Sequence, residues 1–164
     1  MKTLFIGGIK SGKSRLAEAY ILAHTTQKPY YLATTEFIDA EMAKRIAEHQ
    51  HRRQNAFNQI DEPIKLLDAL NNCLGPVLIE CISMWLNNML HHQLPEAQIF
   101  QELTDLMQLD MDIVLVQNEV GMGIVPDNPL ARHYVDLSGK CAQLLAQQAD
   151  QVFFCCAGLS CQIK

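Results

Sequence analysis

Residues 2–21 read KTLFIGGIKSGKSRLAEAYI, and this stretch decides the fold. Lys2 to Ile6 is a short, apolar, β-compatible run, and two glycines follow it at once. From about Lys13 to Ala23, Leu16, Ala17, Tyr20 and Ala23 then recur at the 3.6-residue period of a helix. The order is strand, loop, helix. Within it, Gly7 to Ser14 (GGIKSGKS) satisfies G-x-x-x-x-G-K-[ST] at the place in the chain where a phosphate-binding loop must lie. Glycines let the backbone curl into a nest of N–H donors at the positive end of a helix dipole. On this reading Gly7, Gly8, Ile9, Lys10, Ser11, Gly12, Lys13 and Ser14 bind nucleotide phosphates, with Lys13 reaching the β- and γ-phosphates and Ser14 ligating Mg²⁺. The bland alternative is a glycine-rich turn beside a surface lysine.

The same alternation continues along the chain. Tyr30 to Ala33 reads as a strand, and Asp39 to about Asn55 as a helix capped by Asp39, with Met42, Ala43, Ile46 and Ala47 on its apolar face. Ile64 to Leu70 is a short helix ended by Asn71, Asn72 and Gly75. Val77-Leu78-Ile79 and Ile113 to Val116 are unalternating apolar runs, the mark of parallel strands buried on both faces. Ser83 is placed to cap a helix carrying Trp85, Leu86, Met89 and Leu90, and Pro95 to open another that turns Ile99, Leu103 and Leu106 inward. Leu130, Tyr134, Leu137, Cys141 and Leu144 mark a long helix, and Val152 to Cys156 closes the series. This pattern predicts an α/β fold, a three-layer sandwich on a mostly parallel sheet, organised as a single nucleotide-binding domain over residues 1–164.

Composition narrows the function. The 164 residues are 49% hydrophobic and 19% charged, which excludes a disordered chain. Acidic residues outnumber basic ones 18 to 13, for a net charge of −5, so general binding to nucleic acid or an anionic membrane is not expected. No apolar run approaches the ~18 residues of a membrane span, and MKTLFIGGIKSGKS reaches glycine and lysine before a signal-peptide core forms, so the expectation is a cytoplasmic protein. Cys73, Cys81, Cys141, Cys155, Cys156 and Cys161 show no ligand spacing and read as buried free thiols. His24, His91, His92 and His133 read as surface residues.

Three further features bear on chemistry. Glu80 follows Val77-Leu78-Ile79 directly, and a carboxylate at a buried strand end is costly unless it meets a metal, a proton donor or water. A phosphate loop needs such an acid nearby to organise Mg²⁺ or the acceptor. The 39–55 helix collects Lys44, Arg45, Arg52 and Arg53 around His49. An imidazole among guanidiniums is pushed toward its neutral, nucleophilic form, and the arginines can hold phosphate oxygens. That suits a phospho- or nucleotidyl-histidine, although Glu41 with Arg45 and Glu48 with Arg52 would equally make a solvated, ion-paired face. Asn118 to Pro126 (NEVGMGIVP) follows a buried strand, where open α/β sheets bind ligands; Glu119 could be a second acid there, or the segment could be a tightly packed connection.

Taken together, the loop at 7–14, Tyr31-Leu32-Ala33-Thr34, Asp39-Ala40-Glu41-Met42 with Arg45-Ile46 and His49, Glu80-Cys81, NEVGMGIVP, Leu130-Ala131-Arg132 and Asp136-Leu137-Ser138-Gly139 carry a resemblance. The chain resembles, nearly end to end, the bifunctional adenosylcobinamide kinase/adenosylcobinamide-phosphate guanylyltransferase family of cobalamin biosynthesis. The resemblance implies a RecA-like P-loop fold, a homotrimer, and corrinoid and nucleotide (GTP and ATP) substrates. It implies that Lys13 and Ser14 handle phosphates and Mg²⁺, that Glu80 takes the Walker B position, and that His49 receives GMP from GTP. Thr34 joins the nucleotide site from the motif that carries the resemblance, and Arg45 and Arg53, as candidate clamps on developing charge, and Glu119 join it from the chemical reading above. Lys10 stands where the family usually has arginine, keeping the charge and losing the bidentate fork.

Overall fold

The computed structural model of the chain describes residues 1–36 and 55–164. Among these, seven strands form one sheet: β1 (Lys2–Gly7), β2 (Tyr30–Ala33), β3 (Asn58–Asp61), β4 (Val77–Glu80), β5 (Ile113–Asn118), β6 (Gln151–Cys156) and β7 (Leu159–Gln162). Their spatial order is β3-β2-β4-β5-β1-β6-β7, parallel throughout except for the β6–β7 hairpin. The helices are α1 (Lys13–His24), α2 (Leu66–Leu70), α3 (Ile82–His91), α4 (Glu96–Gln108) and α5 (Pro129–Gln148).

The unalternating runs explain the layers. Successive strand residues face opposite sides, so Leu4, Val77, Ile79, Ile113 and Leu115 join a core with Trp85, Leu86, Ile99, Leu103 and Leu137 from the helices. Their neighbours Phe5, Leu78, Val114 and Val116 point the other way, against Ala17 and Ile21 of α1. Helices therefore cover both faces, and the sheet forms the middle of a three-layer α/β sandwich.

Several local expectations change. The buried face of α1 is Lys13, Ala17, Glu18 and Ile21, an i, i+4 row that leaves Ala23 exposed. On α5 the core side is Leu137, Ser138, Cys141 and Leu145, while Leu130 is exposed. Ser83 does not cap α3: the cap position is Cys81, and the Ser83 hydroxyl accepts a hydrogen bond from Asn118 N (2.7 Å), tying α3 to the end of β5. Of the six cysteines, all free, Cys81, Cys141 and Cys155 are buried, whereas Cys156 and Cys161 are exposed because they lie on the hairpin at the sheet's edge. The expected helix from Asp39, with His49, Arg45 and Arg53, lies outside the described residues. Among the described residues, no helix is long and apolar enough to cross a membrane.

Candidate functional site

Parallel pairing brings the C-terminal ends of five strands to one edge. Gly7 of β1 is opposite Asn118 of β5 and Cys155 of β6, and Glu80 of β4 is opposite Ala33 of β2 and Val116 of β5. The predicted loop, Glu80, Thr34 and Glu119 are thus gathered on the same side of the sheet from segments far apart in the chain.

The loop itself is tightly built. Gly12, the cap of α1, has a φ of 91°, a left-handed value that glycine adopts without strain, and α1 starts at Lys13. Ser11 N donates to Gly8 O (3.2 Å), and the buried Lys13 ammonium donates to the same carbonyl at 3.3 Å. A Cβ on Gly7 would lie 2.3 Å from the Cys155 carbonyl oxygen, so only glycine fits between β1 and β6 at this point. The turn of the β6–β7 hairpin lies directly against the loop: Gly158 N donates to Ser11 O (2.8 Å), and a Cβ on Gly12 would come within 3.0 Å of Gly158 Cα. Ile9 and Lys10 are exposed at the rim.

Glu80 connects this loop to the neighbouring strands. The Ser14 hydroxyl donates to Glu80 Oε1 at 2.8 Å, which places a hard oxygen pair beside Lys13. Thr34 N donates to Glu80 O (3.0 Å), the Thr34 hydroxyl donates to Cys81 O (2.8 Å), and Cys81 N donates to Thr34 Oγ1 (2.9 Å). The hydroxyl of Thr34, fully buried, is therefore spent on the backbone that follows Glu80. The Cys81 thiol is pushed up to about 12, chiefly by burial and further by the Glu80 charge, so it stays protonated and is no nucleophile. Glu119 reaches the edge through its backbone, Glu119 N donating to Gly7 O (2.9 Å), while its carboxylate accepts from Gly121 N of its own loop. That loop is not a tightly packed connection: Met122, Ile124 and Val125 are 78%, 97% and 75% exposed.

Two residues of this edge escaped the sequence reading. Gly158 is distant in sequence from the loop it touches. Asn88 sits three residues after Trp85 on the apolar face of α3, and that spacing was the available signal.

A glycine-lined cradle ahead of a helix, a buried lysine, and a serine paired with a strand-end carboxylate define a RecA-like P-loop nucleoside-triphosphate enzyme. Among solved structures, the flagellar accessory protein FlaH from Methanocaldococcus jannaschii shares the fold, with a TM-score of 0.52 and 13% identity over 93% of this chain and 70% of that one. The chain belongs to the family described as cobinamide kinase / cobinamide phosphate guanyltransferase, whose profile matches residues 3–163. It is 38% identical to the bifunctional adenosylcobalamin biosynthesis protein CobP of Pseudomonas aeruginosa, over all of this chain and 98% of that protein. It is also 38% identical to the bifunctional adenosylcobalamin biosynthesis protein CobU of Salmonella typhimurium, with both chains covered in full. The family is one of bifunctional enzymes, kinase and guanylyltransferase, of adenosylcobalamin biosynthesis.

Proposed function

We propose that one phosphate loop serves both reactions, with Lys13, Glu80 and His49 as the catalytic residues. The observation that supports this most is the Ser14–Glu80 hydrogen bond of 2.8 Å beside the buried Lys13. In the first reaction the hydroxyl oxygen of adenosylcobinamide attacks the γ-phosphorus of ATP or GTP lying on Gly7 to Ser14. The γ-phosphorus bond to the β-phosphate oxygen breaks, and the nucleoside diphosphate leaves. Lys13 neutralises charge on the transferring group, and Glu80 orients the acceptor hydroxyl. A hydroxyl and a carboxylate are the hard donors that suit Mg²⁺, which takes the rest of its shell from water and nucleotide oxygens. Held by Ser14 and Glu80, it would supply neutralisation of phosphate charge.

In the second reaction a His49 ring nitrogen attacks the α-phosphorus of GTP and pyrophosphate leaves. A phosphate oxygen of adenosylcobinamide phosphate then displaces the histidine, breaking the P–N bond and giving adenosylcobinamide-GDP. Arg45 and Arg53 hold phosphate oxygens in this step, Glu119 lies at the nucleotide's edge of the site, and Thr34 contributes by fixing the backbone after Glu80. The active form is a cytoplasmic homotrimer of this domain.

The test is incubation of the native chain and His49→Ala with Mg²⁺ and GTP labelled at the α-phosphorus. Acid-labile, base-stable label on the native chain alone is the expected result. Equal labelling of both chains, or label on neither, would refute the histidine route. Glu80→Gln should lower the kinase kcat by at least ~10²-fold, within the range of a lost charge-stabilising group.

A further inference from the structure

The strand β5 runs between β1, which leads into the phosphate loop, and β4, which ends in Glu80, and its last residue is Asn118. Asn118 is in register with Gly7, and Val116, two residues earlier, with Glu80. Alternation along β5 turns Val114 and Val116 toward α1 and Gln117 toward α5, where the Gln117 amide donates to Ser138 O (2.9 Å). Asn118 therefore shares the α1 face with Glu80, which lies two residues after Leu78 on that face and accepts from Ser14 of α1. At the rise of a strand, it stands roughly 6–7 Å beyond Glu80 toward the nucleotide edge. The backbone on both sides of it is pinned: Asn118 N donates to the buried Ser83 hydroxyl (2.7 Å), and Glu119 N donates to Gly7 O (2.9 Å). Ser83 is fixed in turn, because its carbonyl accepts the Tyr134 hydroxyl (2.9 Å). The half-buried side-chain amide of Asn118 has no hydrogen bond to any described residue, whereas that of Asn88 on α3 is committed to Thr34 O (2.7 Å) and Pro63 O (3.0 Å).

We infer that Asn118 is a further catalytic residue of the kinase reaction, its amide donating to an oxygen of the γ-phosphate as that group is transferred. This rests on the reading that Gly7 to Ser14 hold the triphosphate. The β6–β7 turn covers one side of that loop through Gly158, so the acceptor approaches from the side of β5 and β4, where Asn118 and Glu80 lie. A carboxamide suits this place better than a second acid, since its N–H donors match phosphoryl oxygens and it adds no negative charge near Glu80. Charge in the transition state is spread over the outer oxygens of the moving phosphoryl group, and a donor already held in place stabilises it without reorganisation. A nucleoside diphosphate lacks those oxygens, so the contact separates triphosphate from diphosphate.

The α,β-methylene analogues of GTP and GDP differ only by the γ-phosphate, and their P–C–P bridge blocks guanylyl transfer during a titration. Calorimetry with Mg²⁺ on Asn118→Ala should show binding of the triphosphate analogue weakened at least ~10-fold and that of the diphosphate analogue within about twofold of native, as expected for one lost bond to a charged oxygen. Asn118→Asp keeps the shape and replaces the donors with negative oxygens. It should weaken the triphosphate analogue further than Asn118→Ala does and lower kcat for phosphorylation of adenosylcobinamide at least ~10²-fold. This variant also decides the matter if Asn118→Ala fails to fold by circular dichroism. A residue that only packed the strand end would move both analogues together. Equal losses for the two analogues, or a triphosphate affinity within about twofold of native in a folded variant, overturns the inference. Lys13→Ala, run in parallel, fails separately: undiminished binding of both analogues in that variant refutes the phosphate-loop reading, whereas the role of Asn118 is decided by the difference between the analogues alone.

Discussion

Gly7→Ala should damage the protein far more than Gly8→Ala, although the two glycines are adjacent in the same loop. A methyl on Gly7 would sit 2.3 Å from the Cys155 carbonyl oxygen and 2.9 Å from Ser11 Oγ. The serine can rotate away, but the carbonyl is backbone. Ordinary contact begins near 3.4 Å, so β1 and β6 must part by the difference, 3.4 − 2.3 = 1.1 Å. Neither strand is free to move, since Gly7 is in register with Asn118 on one side and Cys155 on the other, and its carbonyl accepts Glu119 N. Forcing a methyl into such packing costs about 1–3 kcal/mol. For a chain of this size, that lowers Tm by roughly 2–12 °C. Gly8 meets nothing within 4 Å and has no left-handed φ, so alanine there should stay within about 0.5 kcal/mol of native. Thermal unfolding followed by circular dichroism, paired with GTP titration, makes the comparison: Gly7→Ala should lose stability and GTP affinity together. A Gly7→Ala protein that melts within 1 °C of native and binds GTP normally would refute the reasoning.

Two further outcomes follow from the buried thiols. Burial pushes Cys81 and Cys141 from 9.0 up to about 12 and Tyr134 from 10.0 to about 12. These folded-state values lie above the unfolded ones, so the stability they contribute is full below pH 9 and is lost as pH rises toward 12, at up to about 1.4 kcal/mol per pH unit for each thiol. Lys2 acts in the opposite sense, because burial lowers its pKa and its charge penalty is relieved as pH approaches 10.5. Urea midpoints at pH 8 and pH 10 should therefore differ less in Cys141→Ala than in the native chain, and an unchanged difference would count against it. A thiol reagent at pH 8 should label Cys156 and Cys161 rapidly and leave Cys81, Cys141 and Cys155 unreacted until denaturant is added; fast labelling of those three would contradict their burial.

What could be read from the residues was whatever announced itself locally. GGIKSGKS between an apolar run and a helical pattern, and Glu80 after three buried aliphatics, have only one economical placement each. The edge strands were illegible for a physical reason: β3 is Asn-Gln-Ile-Asp and β7 is Leu-Ser-Cys-Gln, and each owes its conformation to the neighbour it pairs with rather than to its own pattern. Ser83 had the right residue type for a helix cap, but the end of β5 claims its hydroxyl. Adjacent Asn87 and Asn88 look alike in sequence, yet the first is exposed and the second buried with both hydrogens of its amide committed. Thr34 entered through family resemblance alone, and its two bonds to Cys81 supply the reason that resemblance lacked.

The strand that opens the chain is paired with segments from its later half: Leu4 is in register with Leu115 on one side and Val152 on the other. Such pairings close large loops, whose entropic cost grows slowly with loop length. The phosphate loop is thus shaped by segments far from it in sequence. Until β6 arrives there is no Cys155 carbonyl beside Gly7, and until the hairpin turn arrives there is no Gly158 amide on Ser11. The loop therefore takes its shape only once β6 and the hairpin turn are paired against it, and its geometry reports completed pairing.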